Sequence, residues 1–306
     1  MFKLFVADLG SPSYFVATAA VCLGFFKEEG LEMDRVEGSL RGEAPDIRAV
    51  QFVGGAAYYP LLSCPNLEGA RLLCALAQYS YWFMGVRTDL DAKRGDIDAL
   101  KGLRIASASS SPGKGLRHML KEAGIDPERD DIKIVDNPLT GEGQTFRGNV
   151  GVVALEQGIA DAFWGNGLRL EMAVRAGVAK PHLDLRRGDG PPGARYYNFA
   201  ALAASEDFIN EHPDLAAGAV RAIVKTQKAL KADPNLATKV GKEMFPPEEA
   251  EIIAELVARD TPFYDAEISQ EAVAGLNKFC VATGLLEKPL AYDRWVATQF
   301  RDLWKG

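Results

Sequence analysis

Short apolar runs alternate with amphipathic stretches over the first two-thirds of the chain, and helical spacing takes over after that. Residues 3–8 have strand character and lead into Gly10-Ser11-Pro12-Ser13, a turn-forming cluster. Apolar positions then predict an amphipathic helix over 14–29, stopped by Gly30. A second strand is expected at 31–37. After a polar loop at 38–45, residues 47–53 read as extended, and Gly54-Gly55 is expected to open a short helix reaching Leu62. The apolar runs 71–77 and 81–86 predict two more strands. Strands separated by helices of this length argue for parallel βαβ units and an α/β fold.

The polar, charged stretch 88–100 reads as a crossover into a second lobe. That lobe is expected to hold strands at 104–108, 132–135 and 160–164, and helices at 113–123, 150–157 and 168–176. Gly and Pro make 187–193 a loop, and the extended run 196–204 is expected to return the chain to the first lobe. Predicted domains are a discontinuous lobe I (1–88 and 200–306) and lobe II (89–199). The remainder is helical. His212-Pro213-Asp214 starts a helix to Lys231, Pro213 suiting an early helical position. Further helices are predicted at 248–259, 270–282 and 293–304.

Composition narrows the function classes. The net charge is −7 and no long basic run is present, so a nucleic-acid partner is not expected. No apolar run reaches the eighteen residues that a membrane span requires. The N-terminus lacks the basic and apolar regions of a leader. Two locations follow: periplasmic if a leader has been removed, cytoplasmic if Met1 is the native start. The four cysteines (Cys22, Cys64, Cys74, Cys280) form no CxxC pair and stand far from His118, His182 and His212, so no metal is expected. Cys64 and Cys74 either pair across a short loop or stay reduced. The histidines read as structural or exposed rather than as general bases. No cofactor is implied.

Several segments together resemble the solute-binding proteins of the nitrate/sulfonate/taurine and thiamine-pyrimidine (NMT1/THI5-like) type. They are Leu23-Gly24-Phe25-Phe26-Lys27-Glu28-Glu29-Gly30-Leu31, Leu100-Lys101-Gly102-Leu103-Arg104-Ile105-Ala106 and Ala154-Leu155-Glu156-Gln157-Gly158-Ile159-Ala160-Asp161-Ala162. Phe208-Ile209-Asn210-Glu211-His212-Pro213-Asp214 and Leu285-Leu286 continue the likeness towards the C-terminus. The resemblance implies a two-lobed periplasmic-binding-protein type II fold, mostly parallel sheets flanked by helices, with a ligand cleft between the lobes. It also implies a small-molecule ligand, an ABC transporter permease as partner, and a monomer.

In such sheets the loops after parallel strands gather at one edge, where ligands bind. Candidate ligand residues after the first strand are Asp8, Ser11, Ser13 and Tyr14, the serines serving otherwise as ordinary helix caps. Gly54, Gly55 and Ala56 have the same placement, with a tight turn as the alternative. Tyr79 and Trp82 border the next strands, one side chain of this stretch belonging to the core. In the second lobe Ser109, Ser110, Ser111 and Gly113 form the best candidate loop. It is not a P-loop, because GxxxxGK[ST] is absent. Thr140 to Thr145 either caps a helix or lines the cleft. Trp164 and Asn166 follow a strand, and Tyr196 and Asn198 lie at the return crossover. The aromatics at these positions suit a ring-bearing ligand, and helix-start amides suit an anionic one.

Two functions compete. A substrate-binding protein of an ABC-type importer needs no catalytic group. A cytoplasmic enzyme on the same fold would be pyrimidine-synthase-like or decarboxylase-like, acting on a small aromatic or heteroaromatic substrate. The pyrimidine synthases carry a CCCFC motif and the sulfinate desulfinases a cysteine after the first strand. This chain has neither, reading Asp8-Leu9-Gly10-Ser11-Pro12-Ser13 at the second place. Binding is favoured over chemistry.

Overall fold

The computed structural model describes residues 1–37, 45–108, 111–138, 150–245 and 247–306. The chain divides into two compact units, Met1–Tyr79 with Tyr196–Gly306, and Ser80–Arg195.

Unit 1 opens with β1 (Phe2–Val6), α1 (Phe15–Cys22), α2 (Phe25–Glu28), β2 (Met33–Glu37), β3 (Phe52–Ala56) and β4 (Ala70–Ala77). Unit 2 holds β5 (Phe83–Arg87), β6 (Arg104–Ser107), α3 (Ser111–Glu122), β7 (Lys133–Asp136), α4 (Val150–Glu156), β8 (Ala162–Gly165), α5 (Gly167–Arg175) and β9 (Ala179–Asp184). The chain returns to unit 1 through β10 (Ala200–Ser205), α6 (Glu206–Glu211), α7 (Pro213–Ala232) and α8 (Asn235–Met244). It ends with α9 (Pro247–Asp260), α10 (Gln270–Ala282) and α11 (Tyr292–Trp295).

Among the described residues each unit has one five-stranded sheet, ordered β2-β1-β3-β10-β4 in unit 1 and β7-β6-β8-β5-β9 in unit 2. Three strands pair in parallel in each sheet, and the strand in fourth place is antiparallel to both neighbours. Four strands of five therefore point one way. The inverted strand, β5 or β10, is the first the chain makes after crossing over from the other unit. β5 pairs with β8 and β9, so the changeover expected near residue 88 falls at Tyr79–Ser80.

Several local expectations are corrected. The helix expected over 14–29 is two helices, because Gly24 takes φ +82° and ends α1. α1 is not amphipathic either: Phe15 to Ala20 are all buried, as in a helix with apolar sides all round. Gly54 and Gly55 start no helix, since both lie within β3, which is buried on both faces. A Cβ on Gly54 would sit 3.1 Å from Ala17 Cβ, and one on Gly55 would sit 2.4 Å into the Tyr59 ring. Small residues there let α1 and Tyr59 close onto the sheet. Residues 47–53 are not one extended run, since Ile47–Ala49 is a 3-10 turn. The closing helix is also interrupted. Val296 bridges Leu72, Ala297 N–H donates to the Leu72 carbonyl at 2.9 Å, and a 3-10 helix, Thr298–Lys305, follows. The tail thereby covers the free edge of β4, which would otherwise offer unpaired backbone groups.

α7 has the face its spacing predicts, with Ala216, Val220, Ile223, Val224, Gln227 and Leu230 buried. Gln227 Nε2 donates to the carbonyls of Ala75 (3.1 Å) and Leu76 (3.0 Å), tying α7 to β4. No helix among the described residues is long and apolar enough to cross a membrane. All four cysteines are free thiols.

Candidate functional site

In unit 1 the C-terminal ends of β1, β3 and β4 meet the start of β10, with Ala200 opposite both Ala56 and Ala77. The loops at this edge carry most of the candidates of lobe I. Asp8 shapes the first loop, its Oδ1 accepting from Gly10 N–H at 3.0 Å and its carbonyl from Ser11 N–H at 3.1 Å. The Tyr264 hydroxyl donates to the Pro12 carbonyl at 2.8 Å and fixes the far side of the loop. Ser11 and Ser13 do not cap α1: Tyr14 holds the cap position, without a side-chain cap bond. Ser11 is instead buried (1 % exposed), and its Oγ has no hydrogen-bond partner among the described residues.

Asn198 is spent on the fold, its Oδ1 accepting from Ala57 N–H at 3.1 Å and joining the start of β10 to the end of β3. Tyr79 sits at φ +64°, an uncommon backbone region for a bulky side chain. Its ring packs edge-on against Tyr196 (5.6 Å) and Phe263 (6.2 Å). Gln78 anchors this strained turn by donating to the carbonyls of Asp265 (2.9 Å) and Glu267 (2.7 Å). Burial, with the charge of Asp8 adding to it, pushes the Tyr59 phenol well up and keeps it a neutral hydroxyl. Tyr59 belongs with the aromatics that the sequence offers as ligand-facing, and the small residue Gly55 before it makes room for its ring.

In unit 2 the ends of β6, β7, β8 and β9 meet the start of β5. Gly165, Phe83 and Asp184 form one row across the sheet. Ser109 and Ser110 lie outside the described residues, as does the 140–145 loop, and of the Ser111 side chain nothing is described. Gly113 stands where a Cβ would come within 2.4 Å of the Ala108 carbonyl oxygen, so α3 can begin against the end of β6. Trp82 and Trp164 pack at 6.1 Å. Gly115 of α3 lies against the Trp82 ring, where a Cβ would be 2.3 Å away. Trp164 is 1 % exposed, and its indole N–H donates to the Pro112 carbonyl at 2.9 Å. This tryptophan pair fastens α3 to the sheet. Asn166 caps α5, its Oδ1 accepting from Arg169 N–H at 3.1 Å.

The other reactive groups lie elsewhere. Burial pushes the thiols of Cys74 and Cys280 far up, which leaves them protonated. His182 is within β9, its Nε2 bonded to the Asp96 carbonyl at 2.8 Å, while His118 is on α3 and His212 follows α6. No group of His, Cys, Asp and Glu among the described residues is arranged to hold a metal ion.

The family described as NMT1/THI5 like matches residues 12–237 of the chain. No curated protein sequence matches it. Among solved structures it is similar to a putative sulfonate ABC transporter's periplasmic sulfonate-binding protein from Methylobacillus flagellatus, at 19% identity and TM-score 0.69, covering 98% of this chain and 92% of that one. It is similar to the periplasmic aliphatic sulphonate binding protein of Escherichia coli at 14% identity and TM-score 0.70, covering 96% and 91%. A desulfurization enzyme aligns at 17% identity and TM-score 0.67, covering 99% and 98%. At these identities the likeness establishes the periplasmic-binding-protein fold.

Proposed function

The chain belongs to the NMT1/THI5-like family, and from that membership we propose that it is the substrate-binding protein of an ABC-type importer, holding one small organic solute. The observation that carries the reading is the loop after β1. It presents a buried Ser11 hydroxyl with no protein partner among the described residues, beside buried Tyr14. A buried hydroxyl left unpaired is costly, and a ligand that bonds it removes that cost. Asp8, Ser13, Tyr79, Tyr196 and the Gly54-Gly55-Ala56 strand end complete the unit 1 surface. Ser109, Ser110, Ser111, Gly113, Trp82, Trp164 and Asn166 are proposed as the contacts of unit 2, and Asn198 is added to those of unit 1. A permease partner, action as a monomer and a periplasmic location go with this reading.

An enzyme on this fold is the second reading, favoured by the likeness to a desulfurization enzyme. It requires a nucleophile or base in the strand-end loops; the buried protonated thiols of Cys74 and Cys280 offer none, and Asp8, in the loop after β1, is the carboxylate that would serve as base.

Native mass spectrometry of the purified protein tests the choice. One small molecule bound unchanged, at one per chain, is expected. A protein that turns over its ligand, or retains and binds no small molecule from a panel of sulfonates, pyrimidines and aromatic acids, overturns the proposal.

A further inference from the structure

The strand-end edge of unit 1 is held by a segment from far along the chain. Residues 263–268 leave the 3-10 turn Thr261–Phe263 and alternate in burial, with Tyr264, Ala266 and Ile268 buried and Asp265 and Glu267 exposed. Such alternation is that of a chain laid with one face to the core. The segment runs along the end of β4. Ala75 N–H donates to the Ala266 carbonyl at 2.9 Å and Gln78 N–H to the Phe263 carbonyl at 2.8 Å. The Tyr292 hydroxyl donates to the Ile268 carbonyl and ties down the far end.

Two of the candidate loops hang on this one segment. Gln78 Nε2 carries two hydrogens and donates to the carbonyls of Asp265 and Glu267. It thereby holds the turn in which Tyr79 keeps φ +64°. A bulky residue adopts that backbone only where its surroundings fix it. The Phe263 ring adds an edge contact to Tyr79 at 6.2 Å. One residue on, the wholly buried Tyr264 sends its hydroxyl to the Pro12 carbonyl at 2.8 Å, in the loop of Ser11 and Tyr14. The two loops are therefore joined through adjacent residues: Tyr264 bonds Pro12, and Phe263 bonds Gln78.

We propose that residues 263–268 are a brace that fixes the loop after β1 and the turn after β4 together. Gln78 and Tyr264 are its positioning residues, shaping the solute surface of unit 1 through the groups they hold. The part of the brace in binding rests on the solute-binding reading. Loops fixed in advance spare a ligand the entropy loss of ordering them, so the brace contributes affinity.

Hydrogen exchange of the full, ligand-free chain tests the coupling, with Gln78→Ala and Tyr264→Phe. The side-chain hydrogen bonds of Gln78 go to the brace. Gln78→Ala is nonetheless expected to speed exchange of the Ser11 and Tyr14 amides, which donate within the loop after β1, roughly 3- to 10-fold. Tyr264→Phe is expected to speed exchange of the Gln78 amide by a similar factor. A merely structural role would speed the core strands through global unfolding and leave the local opening of these loops unchanged. Ethanesulfonate, cytosine and benzoate are then titrated calorimetrically. A probe that binds the parent chain should bind each variant roughly 3- to 10-fold more weakly. The double variant should lose less than the product of the two, since both changes undo one brace. Unchanged loop exchange, losses that multiply, or a probe bound equally by all variants each overturns the brace. Unchanged exchange with a probe still bound leaves the solute-binding reading standing. Coupled exchange in a protein that retains no small molecule and binds no probe sinks that reading instead, and with it the part of the brace in binding.

Discussion

The two sheets share one plan and differ in what is mounted on it. In each, the residue just before the third strand closes a reciprocal pair with the first residues of the central parallel strand. In unit 1 Gln51 N–H donates to the Lys3 carbonyl at 3.1 Å while Gln51 Oε1 accepts from Lys3 N–H at 2.7 Å. In unit 2 Asp161 N–H donates to the Arg104 carbonyl at 2.8 Å while Asp161 Oδ2 accepts from Arg104 N–H at 3.0 Å. Unit 1 uses a neutral amide. Unit 2 uses a carboxylate, and adds the guanidinium groups of Arg104 (2.8 Å) and Arg87 (3.1 Å). The opposite edges differ too: that of unit 1 carries hydroxyls, tyrosines and Asp8, and that of unit 2 a tryptophan pair. The backbone plan decides where side chains are presented. The side chains decide whether a position holds the fold or waits for a ligand.

The largest effect is expected where unit 2 uses aromatics for packing. Trp164→Ala removes a buried indole and its bond to Pro112 and should cost about 3–5 kcal/mol in urea unfolding. A small loss of stability with a large loss of ligand binding would place Trp164 on the ligand side instead. Next comes the closing pair. Asp161→Asn should destabilise by roughly 1–3 kcal/mol, against about 0.5–1.5 kcal/mol for Gln51→Ala. Equal costs would erase the distinction between the two closures. The Arg104 hydrogen bond holds the Asp161 carboxyl below its usual range. Its contribution is therefore complete above the unfolded carboxylate pKa and is lost as pH falls through the lower folded value.

Ser11→Ala tests unit 1. Ligand affinity should fall about 10-fold, while the ligand-free melting temperature holds or rises. A drop in that temperature would show the hydroxyl bonded within the fold. The smallest effect is at His182, whose pKa burial lowers. A carbonyl only accepts, so Nε2 carries the proton donated to Asp96, and Nδ1 is buried without a partner among the described residues. Stability from the neutral ring is full above the unfolded histidine pKa and declines as pH falls through the lower folded one. His182→Gln should flatten the melting temperature between pH 7 and 5, about the range in which histidine titrates. An unchanged slope would assign it to other groups.

Much of the alternation of strands and helices was legible in the sequence, because buried parallel strands are continuous apolar runs and their helices end at glycine. α10 falls on its predicted bounds, Gln270–Ala282. Less legible were features decided by packing at a distance. Gly54-Gly55 reads as a turn in isolation but is a strand made small for Ala17 and Tyr59. The run 81–86 looked continuous with the first lobe until its pairing with β8 and β9 was known. Helix α8 follows Asp233-Pro234, punctuation that reads equally well as a loop. The candidate loops after β1 and β6 were located by the rule of strand ends, though Ser11 proved a buried hydroxyl rather than a cap.

The inverted strand β10 also sets a schedule. It lies between β3 and β4 and bonds both, yet it is made only after all of Ser80–Arg195. Apart from the bridge to Val296, β4 has no other strand partner among the described residues. A chain emerging from the ribosome therefore carries β4 as an apolar strand without a sheet until some 120 further residues, by the numbering, have followed it. Unit 2 is contiguous and can fold as it appears, whereas in unit 1 β1, β2 and β3 can pair at once and β4 must wait for β10.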